Sequence, residues 1–223
     1  MAVALIVAAG RGERLGSDRP KALVDVAGRA MLEWSVAALR DVPEVREIVV
    51  ALPAAALDGA PEGTKAVAGG GSRSQSVAAA LAASTVGEDP VIVHDAARPL
   101  ARAELFTQAL AALRREAADA VVAAAPVSDT IKQVADGTLR VRRTLDRGSL
   151  WAIQTPQVFR RDVLERLLGR ATEQQLRAAT DEAMLVERAG GAVVVLPAPA
   201  DNFKITTPMD LRLAELLLEE RAS

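Results

Sequence analysis

Four basic side chains follow the first apolar run of the sequence and are interleaved with small residues. After the run ends at Val7, the small residues are Ala8, Ala9, Gly10 and Gly12, and the basic residues are Arg11, Arg14, Arg19 and Lys21. Small residues let backbone amides approach a base or a phosphate closely, and several cations suit a polyanion such as a triphosphate. Pro20 restricts the backbone directly before Lys21. The stretch therefore predicts a phosphate-binding loop, and a solvated, charged surface loop is the alternative.

Lysine is scarce in this chain, which singles out the lysine that ends the loop. Among 27 basic residues the lysines are Lys21, Lys65, Lys132 and Lys204. A lysine carries a compact point charge, whereas arginine presents a planar fork, so the two are not interchangeable. Lys21 is therefore the strongest single candidate for a functional cation, although a solvated surface lysine is the alternative interpretation.

Two common nucleotide loops fit this stretch poorly. The glycines at 10, 12 and 16 are spaced one residue too widely for G-x-G-x-x-G, and the second apolar run ends in Ala51-Leu52-Pro53 without an acid for a ribose hydroxyl. No Gly-Lys-Ser/Thr closes the loop, which excludes the P-loop pattern. The residues favour a nucleoside triphosphate loop of another kind, and a dinucleotide-binding module stays a weak alternative.

Strand and helix patterns alternate along the rest of the chain. Strands are predicted at 3–7, 47–52, 65–68, 90–94, 120–125 and 192–196, and helices at 31–40, 72–84, 102–115, 160–168, 180–189 and from Thr207-Pro208 onward. Solid apolar strands alternating with helices predict an α/β fold, a Rossmann-like three-layer sandwich around a mostly parallel sheet. Ligands of such sheets bind at the carboxyl ends of the strands, which is where the basic loop and Asp95 lie.

One segment breaks the alternation. Predicted strands at 131–134 and 139–143 flank Asp136-Gly137, a strong hairpin signal. The second strand carries Arg140, Arg142 and Arg143, so it is too polar for a sheet covered on both faces. We expect a β-arm at about 128–150 that projects from a single domain over 1–223 and packs on a second subunit, because an isolated hairpin is marginally stable.

Composition excludes several classes of protein. Half of the residues are hydrophobic and the formal net charge is −2, which argues against a nucleic-acid binder. The chain has no cysteine and one histidine, so disulfides, thiolate zinc sites and multi-histidine metal sites are excluded. No apolar run is long enough to span a membrane, and residues 1–9 lack the basic lead-in of a signal peptide. We expect a cytoplasmic protein with no membrane partner.

The loop sequence LIVAAGRGERLGSDRPKA (residues 5–22) resembles the N-terminal signature of the nucleotidyltransferases, which includes enzymes acting on sugar phosphates and cofactors. Five further segments, at 93–99, 125–132, 151–157, 180–183 and 201–206, occur in the order found in the family of 2-C-methyl-D-erythritol 4-phosphate cytidylyltransferases of non-mevalonate isoprenoid biosynthesis. The resemblance runs from about Val3 to Leu217. It implies CTP and methylerythritol phosphate as substrates, Mg²⁺ bound mainly through the CTP phosphates, no metal ligands from the protein, and a homodimer joined by the β-arm.

The resemblance also assigns roles to individual residues on the nucleotide side. Arg14 and Lys21 match the cations that stabilise the transition state. The cytidine is expected against the backbone of Ala8, Ala9, Gly10, Gly12 and Gly70, together with Ser76. Asp95 is expected near the ribose with Arg98 close by; it could instead orient the magnesium shell, or cap a helix or pair with Arg98. Gly71 stands where many relatives carry an acid, which puts a side-chain contact at that position in doubt.

On the acceptor side, the resemblance assigns Thr130, Arg147, Thr155 and Lys204 to methylerythritol phosphate, with Arg147 and Lys204 among the catalytic cations. Arg147 is expected to reach the site of the neighbouring subunit. His94 is expected to be a packed residue at the end of a strand, and not a catalyst. Two alternatives remain: a nucleotidyltransferase for another pentitol or sugar phosphate, and an inactive nucleotide-binding regulator.

Overall fold

The computed structural model describes residues 1–10, 12, 19–85, 87 and 89–222. Along these residues the strands are β1 (Ala2–Val7), β2 (Asp25–Val26), β3 (Arg29–Ala30), β4 (Val45–Leu52), β5 (Lys65–Ala68), β6 (Val91–Asp95), β7 (Ala120–Pro126), β8 (Lys132–Val134), β9 (Val141–Thr144), β10 (Trp151–Phe159) and β11 (Val193–Pro197). The helices are α1 (Met31–Arg40), α2 (Arg73–Ala83), α3 (Ala103–Arg115), α4 (Arg161–Arg170), α5 (Glu173–Ala178), α6 (Glu182–Arg188) and α7 (Pro208–Ala222). Short 3-10 turns lie at Lys21–Leu23, Ala54–Gly59 and Arg147–Ser149.

Seven strands form one sheet in the order β11-β7-β10-β6-β1-β4-β5. The pairs β1–β4, β1–β6, β4–β5 and β7–β11 are parallel, whereas β10 runs antiparallel to both β6 and β7. The carboxyl ends of β1 and β6 therefore lie side by side at one edge of the sheet. This arrangement confirms the predicted mostly parallel α/β sheet.

Alternate residues of each central strand pack on opposite faces of the sheet. In β1, Ala4 and Ile6 pack with the buried faces of α1 and α3, while Val3 and Leu5 pack on the side of α2, α4 and α6. Strands buried on both faces are mostly apolar at successive positions, which explains the apolar runs of β1 and β7. The three layers are those that the sequence predicts.

The predicted hairpin forms as its own two-stranded sheet, with β8 antiparallel to β9 and Gly137 in the turn at a φ of +70°. Its apolar side chains lie in solvent: Leu139 is 94% exposed, and Val134 and Val141 are also exposed. The hairpin is confirmed, and its projection toward a second subunit stays a prediction. No helix among the described residues is both long and apolar enough to cross a membrane.

Besides the two-residue strands β2 and β3 and the 3-10 turns, one strand and one helix were not predicted, and one helix starts two residues later than predicted. The sequence of β10 contains Gln154, Pro156 and Gln157, which interrupt the apolar pattern, and its pairing with β7 is irregular between Ile153 and Gln157. Helix α5 begins with a capping box of Thr172 and Gln175, a signal that is present in the sequence. The helix predicted from Thr180 begins at Glu182, because the Asp181 carboxylate caps it by accepting a hydrogen bond from Met184 N.

The packing of α3 on the sheet gives a stability prediction. Leu110 is fully buried in the core that α3 shares with β1 and α1, so Leu110→Ala should lower the free energy of unfolding by about 2–5 kcal/mol. Leu216 of α7 is 59% exposed, and Leu216→Ala should change the free energy of unfolding by less than about 0.5 kcal/mol. Urea denaturation of both variants measures the difference; equal losses would contradict the assigned core.

Candidate active site

A cleft of about 700 Å³ lies at the carboxyl edge of the sheet, where β1 and β6 end. Nine residues that the sequence predicts for the site line it: Ala8, Ala9, Gly10, Gly12, Lys21, Gly70, Ser76, Asp95 and Lys204. They come from separate segments of the chain. The parallel strands β1 and β6 are neighbours, so the loops that follow them meet at the same edge of the sheet. Arg73 lines the same cleft and was not predicted.

Close backbone approach builds one wall of the cleft. A Cβ atom at Gly69 would overlap the Cβ of Ala9 and lie 2.9 Å from Ser76 Oγ, so only glycine lets these two segments meet. Gly70 N donates to Ser76 Oγ at 3.1 Å, and that hydroxyl donates to Ser72 O at 3.0 Å. Ser76 therefore fixes the loop before α2, with the loop backbone facing the ligand space.

The same loop leads into α2 through an N-cap. Ser72 Oγ accepts a hydrogen bond from Gln75 N at 3.2 Å, and the Gln75 side-chain amide donates to Glu173 of α5 at 3.5 Å. Ser72 thus caps α2, while the Gln75 side chain ties α2 to α5.

Lys21 is held at the cleft by a tight contact. It begins a 3-10 turn after Pro20, and Gly12 packs against it so closely that a Cβ there would lie 2.7 Å from the Cβ of Lys21. Gly12 also has a φ of +70°, which disfavours other residues. The stem of Lys21 is therefore placed by the backbone of the predicted phosphate loop. Arg14, which the resemblance pairs with Lys21, lies outside the described residues.

Asp95 is the carboxylate of the cleft, and three groups fix it. Its Oδ1 accepts from Arg73 Nε at 3.0 Å, its Oδ2 pairs with Lys204 Nζ at 2.7 Å, and its backbone N donates to Thr155 Oγ1 at 3.0 Å. Asp95 is 6% exposed. Burial alone would raise the pKa of this carboxyl, but the charges of Arg73 and Lys204 more than offset burial and hold the pKa well below its usual range. Asp95 is therefore ionised throughout the neutral range.

Arg73 joins Asp95 to a second, deeper carboxylate. Its Nη1 donates to Glu182 Oε2, and Glu182 is fully buried. Ser74 Oγ donates to the other oxygen of Glu182 at 2.9 Å. Burial would lower the pKa of Arg73, but the two carboxylates outweigh it and raise the pKa further above its usual value. The guanidinium is thus a permanent cation between two anions.

His94 lies beneath the cleft and packs as the sequence predicts. It is fully buried, its ring meets that of Phe106 edge to face at 4.9 Å, and its Nδ1 lies 3.0 Å from Thr155 Oγ1. The Thr155 hydroxyl can donate to Nδ1 or accept from it, so this contact fits either neutral tautomer of the ring. Burial lowers the pKa of His94 to about 4, although the Asp95 charge acts in the opposite direction.

Lys204 is carried by an anchored loop between β11 and α7. Ile205 N donates to Ala97 O at 2.8 Å, and buried Asn202 accepts at its backbone O from Arg98 Nη1 at 2.7 Å. Arg98 was expected near the nucleotide; its Nη1 instead donates to Asn202 O, although its charge still acts on the Asp95 carboxylate. Burial lowers the pKa of Arg98. Arg98 therefore supports the Lys204 loop instead of lining the cleft, and the Asp95–Arg98 ion pair considered above does not form.

The remaining predicted residues lie outside the cleft of their own chain. Thr155 is 3% exposed and its hydroxyl is engaged with Asp95 and His94. Thr130 and Arg147 are exposed at the base of the β8–β9 hairpin, where Arg147 Nη1 donates to Ser128 O at 2.6 Å. One chain thus assembles the nucleotide side of the predicted site but not its complete acceptor side.

Sequence reasoning missed Arg73, Ser74 and Glu182. Arginine is common in this chain, so residue type alone does not single out Arg73. Its position does, because Arg73 follows the Gly69-Gly70-Gly71-Ser72 stretch at the start of a helix, next to any ligand of that loop. Glu182 stands in the first turn of α6, where an acid is favourable next to the positive end of the helix and gives no further signal in the sequence. Its burial depends on a contact with α2 across 109 positions of sequence, which no local pattern reveals.

Comparisons with known proteins point to one family. The model of the family IspD, 2-C-methyl-D-erythritol 4-phosphate cytidylyltransferase, matches residues 2–220. The chain is 46% identical over 220 residues to the enzyme of that name from Frankia casuarinae, covering 96% of this chain and 80% of that protein. It is 45% identical over 226 residues to the one from Symbiobacterium thermophilum, covering 98% and 93%. The crystal structure of the Thermus thermophilus protein superposes with a TM-score of 0.81 at 36% identity, covering 98% of this chain and 100% of that one.

The buried imidazole makes stability dependent on pH. Native His94, with a pKa of about 4, stays neutral at pH 5, whereas the unfolded chain binds a proton below its ordinary value of 6.5. The unfolded state then holds more protons, so the free energy of unfolding should fall by about 2 kcal/mol from this group between pH 7 and pH 5. Urea denaturation at both values measures the loss, which should shrink in His94→Gln. An imidazole that titrates near 6.5 by NMR would contradict this.

Proposed function

This chain belongs to the family of 2-C-methyl-D-erythritol 4-phosphate cytidylyltransferases, and we propose that its cleft transfers the cytidylyl group of CTP to 2-C-methyl-D-erythritol 4-phosphate. The products are 4-diphosphocytidyl-2-C-methyl-D-erythritol and pyrophosphate, and the reaction is a step of isoprenoid biosynthesis. The observation that carries the assignment to this cleft is the set of Lys21, Lys204 and the glycine-lined backbone around one ligand space. A cytoplasmic location stays a prediction from the sequence.

The chemistry needs position and charge more than it needs a proton acceptor. A phosphate oxygen of methylerythritol phosphate attacks the α-phosphorus of CTP; the new P–O bond forms as the bond to the β-phosphate oxygen breaks, and pyrophosphate leaves with that electron pair. The attacking phosphate is already ionised near pH 7, so no general base and no covalent enzyme intermediate are required. Catalysis then consists of alignment and stabilisation of the charge on the phosphoryl oxygens.

The described cations suit that task. The stem of Lys21 packs against Gly12 after β1, and Lys204 lines the same cleft beside Asp95, with its side chain 40% exposed. We assign Lys21 to the oxygens around the α-phosphorus, where negative charge grows in the transition state. Lys204 pairs with Asp95 in this structure and can turn its ammonium to a phosphate of the bound substrates. Arg14 is proposed as the partner of Lys21 on the strength of the resemblance.

Magnesium is proposed to bind mainly through the nucleotide. Among the described residues no group of three or more His, Cys, Asp or Glu side chains is placed to hold a metal ion, and both oxygens of Asp95 are engaged by cations. Mg²⁺ retains several waters and commonly binds substrate phosphates with few protein ligands, so the cleft fits this mode. When bound, the ion would neutralise part of the triphosphate charge, while the protein supplies Lys21 and Lys204.

The acceptor side of the site is proposed to be completed by a second subunit. Thr130 and Arg147 lie at the base of a hairpin whose apolar side chains are exposed, Leu139 most of all, and they do not line the cleft of their own chain. Exposed apolar side chains on a hairpin separate from the main sheet suit burial against another copy. Thr155 is proposed to act indirectly: its hydroxyl accepts a hydrogen bond from Asp95 N and so holds the backbone of Asp95 in place.

The proposed role of Lys21 predicts the effect of its removal. Lys21→Ala should lower kcat for pyrophosphate release from CTP, Mg²⁺ and methylerythritol phosphate by about 10²–10³, because charge on the α-phosphate is no longer neutralised. Lys65→Ala is the matched control, since Lys65 lies in β5 outside the cleft and should leave the rate unchanged.

Two results would overturn the assignment. One is the absence of pyrophosphate release by the folded wild-type protein, and the other is a normal rate in Lys21→Ala. Replacing methylerythritol phosphate by other pentitol or sugar phosphates in the same assay identifies the acceptor, and release with one of those alone would favour the alternative nucleotidyltransferase.

The proposed exchange of Arg147 between subunits can be tested by mixing inactive variants. If Arg147 acts in the partner's site, a dimer of one Lys21→Ala and one Arg147→Ala subunit has one site with both residues intact. A random mixture should then recover roughly a quarter of wild-type activity, because half of its dimers are mixed and half of their sites are complete. The measurement is pyrophosphate release after joint refolding.

The opposite geometry gives the opposite result. If Arg147 served the site of its own chain, every site in the mixed dimer would lack one residue, and activity would stay at the level of the separate variants. Sedimentation of wild-type protein as a monomer would likewise contradict the proposed homodimer.

A further inference from the structure

A charged cluster beside the cleft has no part in the reaction as described so far. Arg73 at the start of α2 bridges Asp95 at the end of β6 and Glu182 at the start of α6, and Ser74 completes the hydrogen bonds of Glu182. The Glu182 side chain is fully buried and the Arg73 side chain is 20% exposed. The cluster connects three elements at the point where the ligand space begins.

Arg73 is not available as a phosphate-binding cation. Its Nε is bound to one carboxylate and its Nη1 to another, so two negative charges face its single positive charge. Moving the guanidinium to a phosphate would leave Glu182 buried without its cation, which is strongly unfavourable. Arg73 therefore stays with the carboxylates when a nucleotide binds.

Stability alone is a poor explanation for this cluster. Replacing a buried ion pair by well-packed apolar side chains is often neutral or stabilising, because desolvation consumes most of the electrostatic gain. What such a pair supplies is a fixed geometry, since a forked guanidinium held at both ends has one orientation. The fixed object here is the carboxylate of Asp95.

The carboxylate needs hydrogen-bond donors from the ligand. Asp95 lines a cleft proposed for a triphosphate, and an anion there repels phosphates. CTP offers two kinds of donor, the amino group of cytosine and the hydroxyls of the ribose. The cytosine is expected against the backbone of the Ala8–Gly10 and Gly70 loops, which leaves the ribose hydroxyls for the carboxylate. Lys204 contacts Oδ2 with a side chain that is 40% exposed, so Oδ2 becomes available when the Lys204 ammonium turns to a phosphate.

We propose that Arg73, locked by Glu182, is the positioning residue that aims Asp95 at the ribose hydroxyls, and that this pair sets the preference of the enzyme for ribonucleotides over deoxyribonucleotides. The inference rests on the proposed function of the cleft. Lys204 is the movable partner of Asp95 and Arg73 the fixed one, because only Arg73 is anchored in the interior by a buried carboxylate.

The test compares CTP with 2′-deoxy-CTP and 3′-deoxy-CTP in the pyrophosphate assay. The wild type should prefer CTP over at least one analogue. Glu182→Gln, which keeps the side-chain volume but removes the charge, and Arg73→Lys should each lower kcat/KM for CTP by about 10- to 100-fold through a misplaced carboxylate. Their kcat/KM for the discriminated analogue should change little, so the preference collapses, as it should in Asp95→Asn. The KM for methylerythritol phosphate should stay within about twofold of wild type.

The controls separate positioning from folding. Arg115 and Glu116 form an exposed ion pair at the end of α3, outside the cleft, and Arg115→Lys and Glu116→Gln should leave the preference unchanged. Thermal unfolding confirms that each variant is folded. Should Glu182→Gln not fold, Ser74→Ala removes a single hydrogen bond to Glu182 and should reduce the preference in the same direction.

Two outcomes overturn the inference. One is a wild type that treats CTP and both deoxy analogues alike, and the other is a folded Arg73 or Glu182 variant that keeps the full preference at reduced rate, which would mean a merely structural role. If the wild type releases no pyrophosphate, the proposed function fails, and calorimetric binding of the three nucleotides still decides whether Arg73 and Glu182 control the ribose preference.

Discussion

The site depends on one electrostatic constraint: a carboxylate ends a fully buried strand and has to be compensated there. Asp95 cannot stay ionised at 6% exposure without cations, and the chain supplies them from α2 and from the loop before α7. The Arg73 cation then requires Glu182 of α6 on its other side. A single buried charge thus fixes the relative positions of three segments that are far apart in sequence, and these segments bound the ligand space.

The rest of the cleft works through shape. Gly69 allows the α2 loop to meet Ala9, and Gly12 allows the β1 loop to meet Lys21, so the backbone itself forms the surface that a base and phosphates would contact. Such recognition requires small residues and tolerates many sequences elsewhere. It explains why a chain with few lysines can build a phosphate site, since a lysine whose stem packs on the loop backbone loses less freedom on binding.

The sequence predicts the layers of the fold well because buried parallel strands need apolar runs, and β1, β7 and the first three residues of β6 have them. It predicts β10 poorly because that strand is antiparallel, holds Pro156 in its interior and contributes polar side chains such as Thr155 to the site. On the site, residues within one loop or directly after a strand were found, including Lys21 and Asp95. Arg73 and Glu182 were missed, because their role depends on an ion pair between residues that are 109 positions apart in the sequence.

The role of each charged side chain in the site depends on whether its partner is buried or exposed. Arg73 and Glu182 have fixed partners in the interior and hold geometry, whereas the Lys204 side chain is 40% exposed and pairs with Asp95 at the edge of the cleft. A site that must bind a highly charged nucleotide and then release pyrophosphate needs both kinds of charge. Fixed charges prevent the carboxylate from following the ligand, and the proposed exchange of partners by Lys204 would allow the phosphates to enter and leave. The buried cluster and the exposed lysine therefore act on the same Asp95 side chain from opposite sides, one for orientation and the other for exchange.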